Sequence, residues 1–316
     1  NPVAQILQGV FLHFFPGKIG HKIGQLMGQR RVSLHLLNGD RRIVFHQSEM
    51  LLNQSEGLLY RAVCGSLDPA VFTALDGKAS YWDYHPWVDT IESARKVESE
   101  LRKMERWFKE WNPNTTMRCA ILEENGNTHD MARALAHAVM LNVVRRSAGF
   151  VPFDSPANAL QPMGQNDNGW DQGQIFFSPS QVWMQPPFYA QQMAATNHQP
   201  LLVESTCSPI TDLDYTATRN EMGDTLVLHI VNYSTTERSL TLDLSGFGKI
   251  GSIRSYSLSG TEKGRNTSDR PTRFVPVEST VEPGENLPLK AYSYTVFVVA
   301  GKGNRSAKKH HKARKY

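Results

Sequence analysis

The sequence predicts a parallel α/β layer followed by an antiparallel β-sandwich, and three stretches carry that prediction. Residues 118–147 (RCAILEENGNTHDMARALAHAVMLNVVRRS) read as a short buried strand that ends on two acids and leads into a covering helix. Residues 91–111 repeat apolar side chains at steps of three and four, which gives a helix one buried stripe. Beyond Pro200 the pattern changes to period two, in LVLHIVNYS, SLTLDLSGF, SIRSYSLSG and YSYTVFVVA with turn residues between them.

Taken in order, residues 1–60 carry scattered glycines (Gly9, Gly17, Gly20, Gly24, Gly28, Gly39) without a sustained period, and no element or site is assigned there. Order begins near Ala62, with a short helix over 68–75. SYWDYHPWVD (80–89) follows as a strand exit that Pro86 keeps from turning helical, presenting Asp83, His85, Trp87 and Asp89. Carboxylates and an imidazole beside aromatic faces suit a polar ligand, although a single histidine in such a place also serves structurally. The helix over 91–111 places Ile91, Ala94, Val97, Leu101, Met104, Phe108 and Trp111 on its core stripe, and Asn112-Pro113-Asn114 ends it.

The next strand is Cys119, Ala120, Ile121 and Leu122, delivering Glu123 and Glu124 at its exit. Asp130 is the expected N-cap of a helix whose Ala134, Leu135, Ala138, Val139, Leu141 and Val144 are too apolar for a surface position. Strand, helix, strand, helix is the order of a parallel layer, and in barrels built from such units the C-terminal strand ends carry the catalytic groups. Two readings stand for the adjacent glutamates: solvated loop acids, or one layer of a functional site. Residues 150–153 are a further strand candidate. A polar stretch over 155–174 is long enough to be functional if ordered, and Trp170 favours order. Residues 175–177 read as a strand, 180–197 as a helix closing the layer, and the period-two region as a supporting sandwich.

Composition sets the remaining bounds. The 316 residues are 40% hydrophobic and 20% charged, ordinary for a globular chain with room for two domains. No apolar run approaches the eighteen or so residues of a membrane span, and the first residues lack a signal pattern. The chain opens on Asn1, so that either a leader was removed or it is a fragment of something longer, and the C-terminal fragment is the preferred expectation. The formal charge of +4 is concentrated at the end: residues 301–316 hold seven Lys and Arg and no acid, leaving 27 bases against 30 acids elsewhere. That basic tail is expected to be solvated, and no nucleic-acid or membrane partner is assigned. Cys64, Cys119 and Cys207 show no metal spacing. Sequons begin at Asn53, Asn114, Asn232, Asn266 and Asn304, compatible with a glycoprotein on a secretory route.

Several of these motifs, in this order, resemble the family 51 glycoside hydrolases, the α-L-arabinofuranosidases. WDYH (82–85) looks like an aspartate-aromatic-histidine strand end, and ILEEN (121–125) with ALAHAVMLNVVRRS (134–147) like the strand of the nucleophilic glutamate and its alanine-rich helix. GWDQGQIFFSP (169–179) resembles the segment that contacts the sugar, and RNTSDRPTRFVP (265–276) a motif of the sandwich. The resemblance covers residues 80–300. It implies an incomplete (β/α)8 barrel over 61–199, a β-sandwich over 200–300 and a basic tail over 301–316. It further implies Glu124 as nucleophile, with Glu123 as the alternative, and His85 as the residue orienting a catalytic carboxylate. Gln172, Trp170, Asp83 and Trp87 would contact the sugar.

The implied chemistry is retaining hydrolysis of terminal α-L-arabinofuranosyl residues from polysaccharide or oligosaccharide side chains, by two carboxylates about 5 Å apart and no metal or organic cofactor. One carboxylate must be ionised and the other protonated. The family's acid/base follows an asparagine, and the only Asn-Glu here is Asn220-Glu221 in the sandwich region, while Glu49 and Glu56 lack the right surroundings. Impaired activity is therefore expected, and a non-catalytic carbohydrate-binding protein of the same fold is the alternative.

Overall fold

The computed structural model describes residues 60–62, 68–165, 171–244 and 246–302. The expectations for 1–59, for Trp170 and for all but the start of the basic tail lie outside the described residues. Four parallel strands form the first sheet, in the order β1 (Tyr60–Ala62), β2 (Tyr81–Asp83), β3 (Arg118–Glu124) and β4 (Asp154–Pro156). Between them run α1 (Pro69–Leu75), α2 (Ile91–Trp111) and α3 (Met131–Arg146). Each helix starts where the sequence supplies a cap. Asp68 Oδ1 accepts from the Ala70 N–H at 2.7 Å, Thr90 and Ser93 form a reciprocal capping box, and Asp130 Oδ1 accepts from the Arg133 N–H at 3.1 Å.

The stripe on α2 is buried as its spacing predicts, at Ala94, Val97, Leu101, Met104 and Phe108. Phe108 is the hub, its ring 4.7 Å from Phe72, 5.8 Å from Trp82 and 5.6 Å from Phe150. Helix α3 is different, because it is buried on every side. It borders α2, the later helix α4 (Pro186–Thr196), and three strands of the sandwich, and it shares one apolar cluster with Cys119 and Ile121 of β3. Even its first N–H groups are satisfied by the sandwich: Met131 donates to the Gly264 carbonyl at 2.8 Å and Ala132 to Glu262 at 2.9 Å.

A three-stranded sheet of β5 (Leu160–Pro162), β6 (Ile175–Phe177) and β7 (Val182–Met184) follows the parallel layer. The sandwich comprises β8 (Leu201–Val203), β9 (Leu213–Arg219), β10 (Thr225–Asn232), β11 (Arg238–Leu240), β12 (Ile250–Ser259), β13 (Val277–Val281), β14 (Leu287–Leu289) and β15 (Ser293–Gly301). Its main sheet is antiparallel, in the order β13-β12-β15-β10-β9-β8, and β11 pairs with β14 separately. The main sheet is covered on both faces. In β10, Val227 and Val231 join the cluster around α3, whereas Leu226, Leu228 and Ile230 join the sandwich interior with Leu287 and Leu289. That double coverage explains why β10 and β15 are apolar almost throughout.

Several expected elements shift. The ladder beside β3 begins where expected, with the Cys119 N–H donating to the Phe150 carbonyl at 3.0 Å, but the strand itself is Asp154–Pro156. The single helix over 180–197 is a strand and then α4, because Pro186 and Pro187 supply no N–H and start the helix there. The strand over 239–247 reduces to Arg238–Leu240. Strand β9 was hidden by the polar alternation of LDYTATR, and its polar side chains are used to join the layers. Asp214 accepts from Asn142 Nδ2 at 2.7 Å and from Arg146 Nη2 at 3.2 Å, and Arg146 Nη2 also meets Glu98 Oε2 at 2.8 Å. Burial opposes ionisation of Glu98, but Arg146 and Arg102 outweigh it and hold its carboxyl below the ordinary range.

Leu135→Ala, at a fully buried position of α3, is expected to cost about 2–5 kcal/mol in urea unfolding. Because the parallel layer and the sandwich share that core, secondary-structure and tryptophan signals should fall in the same transition; a sandwich that stays folded after the α/β layer has melted would contradict the shared core.

Candidate active site

The C-terminal ends of β2 and β3 bring the predicted residues to one edge of the parallel sheet. A bulge decides which way the two glutamates face. Ile121 pairs with Asp154 and Glu124 with Pro156, so three steps along β3 match two along β4. Simple alternation would turn Ile121 and Glu124 to opposite faces. The extra residue puts both on the face covered by α3, and Glu124 becomes wholly buried.

There its carboxylate meets two residues one turn apart on α3. His137 Nδ1 is 3.0 Å from one oxygen and 2.9 Å from the other, and Arg133 Nη2 is 3.3 Å away. Arg133 also donates to the Asn125 carbonyl at 2.5 Å and to the Val88 carbonyl, closing the strand exits over the ion pair. Gly126 is required beside it, since a Cβ at that position would run into the Arg133 guanidinium. Opposite lies Asp154, whose two carboxyl oxygens are buried and receive no hydrogen bond.

The electrostatics divide these two acids. Burial raises the Glu124 carboxyl, but the charges of His137 and Arg133 prevail and hold it below the ordinary range. For Asp154, burial and the neighbouring Glu124 charge act together and push it well above that range. The two neighbouring acids are thus pushed in opposite directions, Glu124 towards its ionised form and Asp154 towards its protonated form.

Glu123 belongs to a second, more open group. Asp83 is buried, accepts from the Leu122 N–H at 3.2 Å and lies 2.9 Å from His85 Nε2. His85 Nδ1 lies 3.7 Å from Glu123 Oε2, and the Glu123 side chain is 32% exposed, so this carboxylate can touch solvent and ligand. The bond to Asp83 is the chief cause that raises His85 above its ordinary value, against the lowering effect of burial.

Gln172 forms the third group. Its Oε1 accepts from the Gly126 N–H at 2.6 Å and its Nε2 donates to Asn125 Oδ1 at 3.2 Å, so it is buried and spent on holding the loop after β3. Trp87 is 41% exposed and donates through Nε1 to Asp89 at 2.6 Å, and Asp89 in turn accepts from the Asn127 N–H at 2.5 Å. Glu124, His85 and Gln172, to which the resemblance gives roles at one sugar site, each have their own partners, and none bonds to another. Asn220-Glu221 sits in the turn between β9 and β10. The sequence reading missed Arg133, His137 and Asp154. The first two did leave a signal, as polar residues four apart on an otherwise apolar helix. Among the described residues no group of three His, Cys, Asp or Glu is arranged to hold a metal ion.

The family model of the alpha-L-arabinofuranosidase C-terminal domain matches residues 108–293. The fold is similar to that of an alpha-L-arabinofuranosidase from Thermotoga maritima solved as an arabinose complex, at 16% identity and a TM-score of 0.62, covering 76% of this chain and 57% of that one. A family 51 alpha-L-arabinofuranosidase from Bifidobacterium longum gives 15% and 0.60 over 74% and 56%, and the one from Xanthomonas axonopodis pv. citri gives 11% and 0.58 over 73% and 55%. At these identities the likeness is one of fold, and the chain spans a little over half the length of each. No curated protein matches it.

Asp154 gives a test by pH. Its carboxyl is raised in the folded chain, so the stability it contributes is fully present below its unfolded value of 3.8 and is lost as pH rises through the folded value. Asp154→Asn puts a neutral side chain of the same shape there, without that loss. Thermal melting should show the variant more stable than the parent at neutral pH, with the difference vanishing towards pH 3.8.

Proposed function

Because the chain belongs to the alpha-L-arabinofuranosidase C-terminal domain family, we propose that it forms the later part of a retaining glycosidase that removes terminal α-L-arabinofuranosyl residues from oligosaccharide or polysaccharide side chains. On this reading the parallel layer is part of a (β/α)8 barrel, and Glu124 is the nucleophile. The observation that carries it is the placement of Glu124 at the C-terminal end of β3, kept ionised by His137 and Arg133. An ionised carboxylate can attack the anomeric carbon and form a glycosyl ester while the bond to the leaving oxygen breaks. His85, Asp83, Gln172 and Trp87 would line the approach for the sugar.

The burial of Glu124 favours a second reading, in which the site binds arabinosides without cleaving them. Glu123 is the alternative nucleophile within the first reading, because it is open and lies beside His85. The two glutamates divide the properties that a nucleophile needs: one is held charged, the other is accessible.

An aryl arabinoside separates these readings, since nitrophenolate departs without a proton from the enzyme and so does not require an acid/base residue. Mixing the chain with 4-nitrophenyl α-L-arabinofuranoside should release a burst of nitrophenolate and add one anhydropentose to the intact mass, with fragmentation locating the ester on Glu124. Glu124→Gln should abolish the burst, lowering the rate about 10³-fold or more. An ester on Glu123 would reassign the nucleophile, and arabinoside binding with neither burst nor ester would establish the binding-only reading.

A further inference from the structure

We infer that Asn114 is an N-glycosylation acceptor of this chain, and that Asn232 and Asn266, which head the same kind of tripeptide, are not. Acceptance requires a side-chain amide nitrogen and a hydroxyl two residues on that both reach the transferring enzyme. Asn114 is exposed, in the turn that joins α2 to β3, and so is Thr116 at the hydroxyl position. The turn is anchored around the acceptor rather than through it. Asn112 Oδ1 accepts from the Asn114 N–H at 3.0 Å, and Thr115 Oγ1 donates inward to Asp76 at 2.6 Å. The Asn114 side-chain amide itself is hydrogen-bonded to no other group among the described residues.

The other two asparagines are parts of the sandwich. Asn232 is wholly buried, its Nδ2 donating to the Thr236 carbonyl at 3.0 Å and the Lys290 carbonyl at 2.8 Å. Its Oδ1 accepts from Ser234 Oγ at 2.8 Å, which also occupies the hydroxyl of that tripeptide. Asn266 is buried as well, donating to the Met184 carbonyl at 2.8 Å and the Phe274 carbonyl at 3.0 Å and accepting from the Phe274 N–H at 2.8 Å. A sugar on either nitrogen would remove those bonds and demand space where there is none, so a chain modified there before folding could not reach this structure.

The reaction is a redox-neutral transfer from a lipid-diphosphate-linked oligosaccharide. The Asn114 Nδ2 forms a bond to the anomeric carbon, the bond from that carbon to the diphosphate oxygen breaks with its electron pair leaving on the lipid diphosphate, and Nδ2 gives up one proton. Asn114 precedes the first residue of β3 while Glu123 and Glu124 end it, so the glycan stands roughly 20 Å from the acidic edge and leaves it open.

The test is the full chain secreted from a eukaryotic host behind a cleavable signal, then released from its glycans by peptide N-glycosidase in heavy-oxygen water and mapped by mass. The expected result is a labelled aspartate at 114, intact asparagine at 232 and 266, and loss of that glycan in Asn114→Gln. Asn114→Gln should melt with the unglycosylated parent, whereas Asn232→Gln should melt lower. Secreted chain bare at 114, or folded chain carrying a glycan at 232 or 266, would overturn the inference. The readout is a mass, so it stands or falls separately from hydrolysis.

Discussion

Burying α3 on all sides is the constraint on which the rest of the structure depends. A helix between two sheets has no face to give to water, so each polar side chain that it carries must find a partner in one of its neighbours. Its first half turns Arg133 and His137 to Glu124 of the parallel sheet. Its second half turns Asn142 and Arg146 to Asp214 of the sandwich and, through Arg146, to Glu98 of α2. These polar contacts fix the register of the helix against both sheets, which apolar packing alone leaves loose. The sandwich is thus more than an appendage: its loop caps α3, its sheet adds Val227, Val231, Leu258, Tyr294 and Val296 to the core around the helix, and its β9 carboxylate anchors the end of the helix.

The same burial explains the division between the two glutamates. A bulge between Ile121 and Glu124 turns the second carboxylate onto α3, where only pairing makes a charge tolerable. Arg133 and His137 provide that pairing. Glu123, on the other side of the bulge, is left partly in solvent beside His85, and needs no such compensation. One extra residue in one strand therefore decides which acid is charged and covered and which is open.

Helices were legible in the sequence because they depend on neighbours three or four residues apart: Asp130 announces α3, and the apolar stripe marks α2, whose Thr90-Ser93 cap was not read. The acidic pair at the end of β3 was legible too. Its partition was not, because the bulge is set by pairing with Asp154, thirty residues on, and nothing local marks that pairing. Proline misled in one place: Pro186 and Pro187 stand inside a stretch read as continuous helix, yet they start it and release Val182–Met184 as a strand. Strand β9 escaped notice since its polar residues alternate with others that are equally polar, and its burial comes from contacts made across the whole chain. Gln172 was marked by the family resemblance, but its partners are the Gly126 N–H and the Asn125 side chain, which no motif announces.

What covers Glu124 is specific enough to reason about. The loop after β3 is tied down by Arg133 at the Asn125 carbonyl, by Gln172 at the Gly126 N–H and by Asp89 at the Asn127 N–H. The first of these ties uses the same guanidinium that neutralises Glu124, so moving the loop and uncovering the carboxylate are not independent events. A sugar entering there would have to take over the hydrogen bonds of Gln172, and its hydroxyls are groups of the kind that can do so. If the loop stays closed, Glu124 is a buried charge whose role is to hold α3 against β3, and any chemistry falls to Glu123 and His85. The choice between a catalytic and a structural Glu124 therefore rests on those loop hydrogen bonds more than on the carboxylate itself, which Arg133 and His137 already hold below the ordinary range.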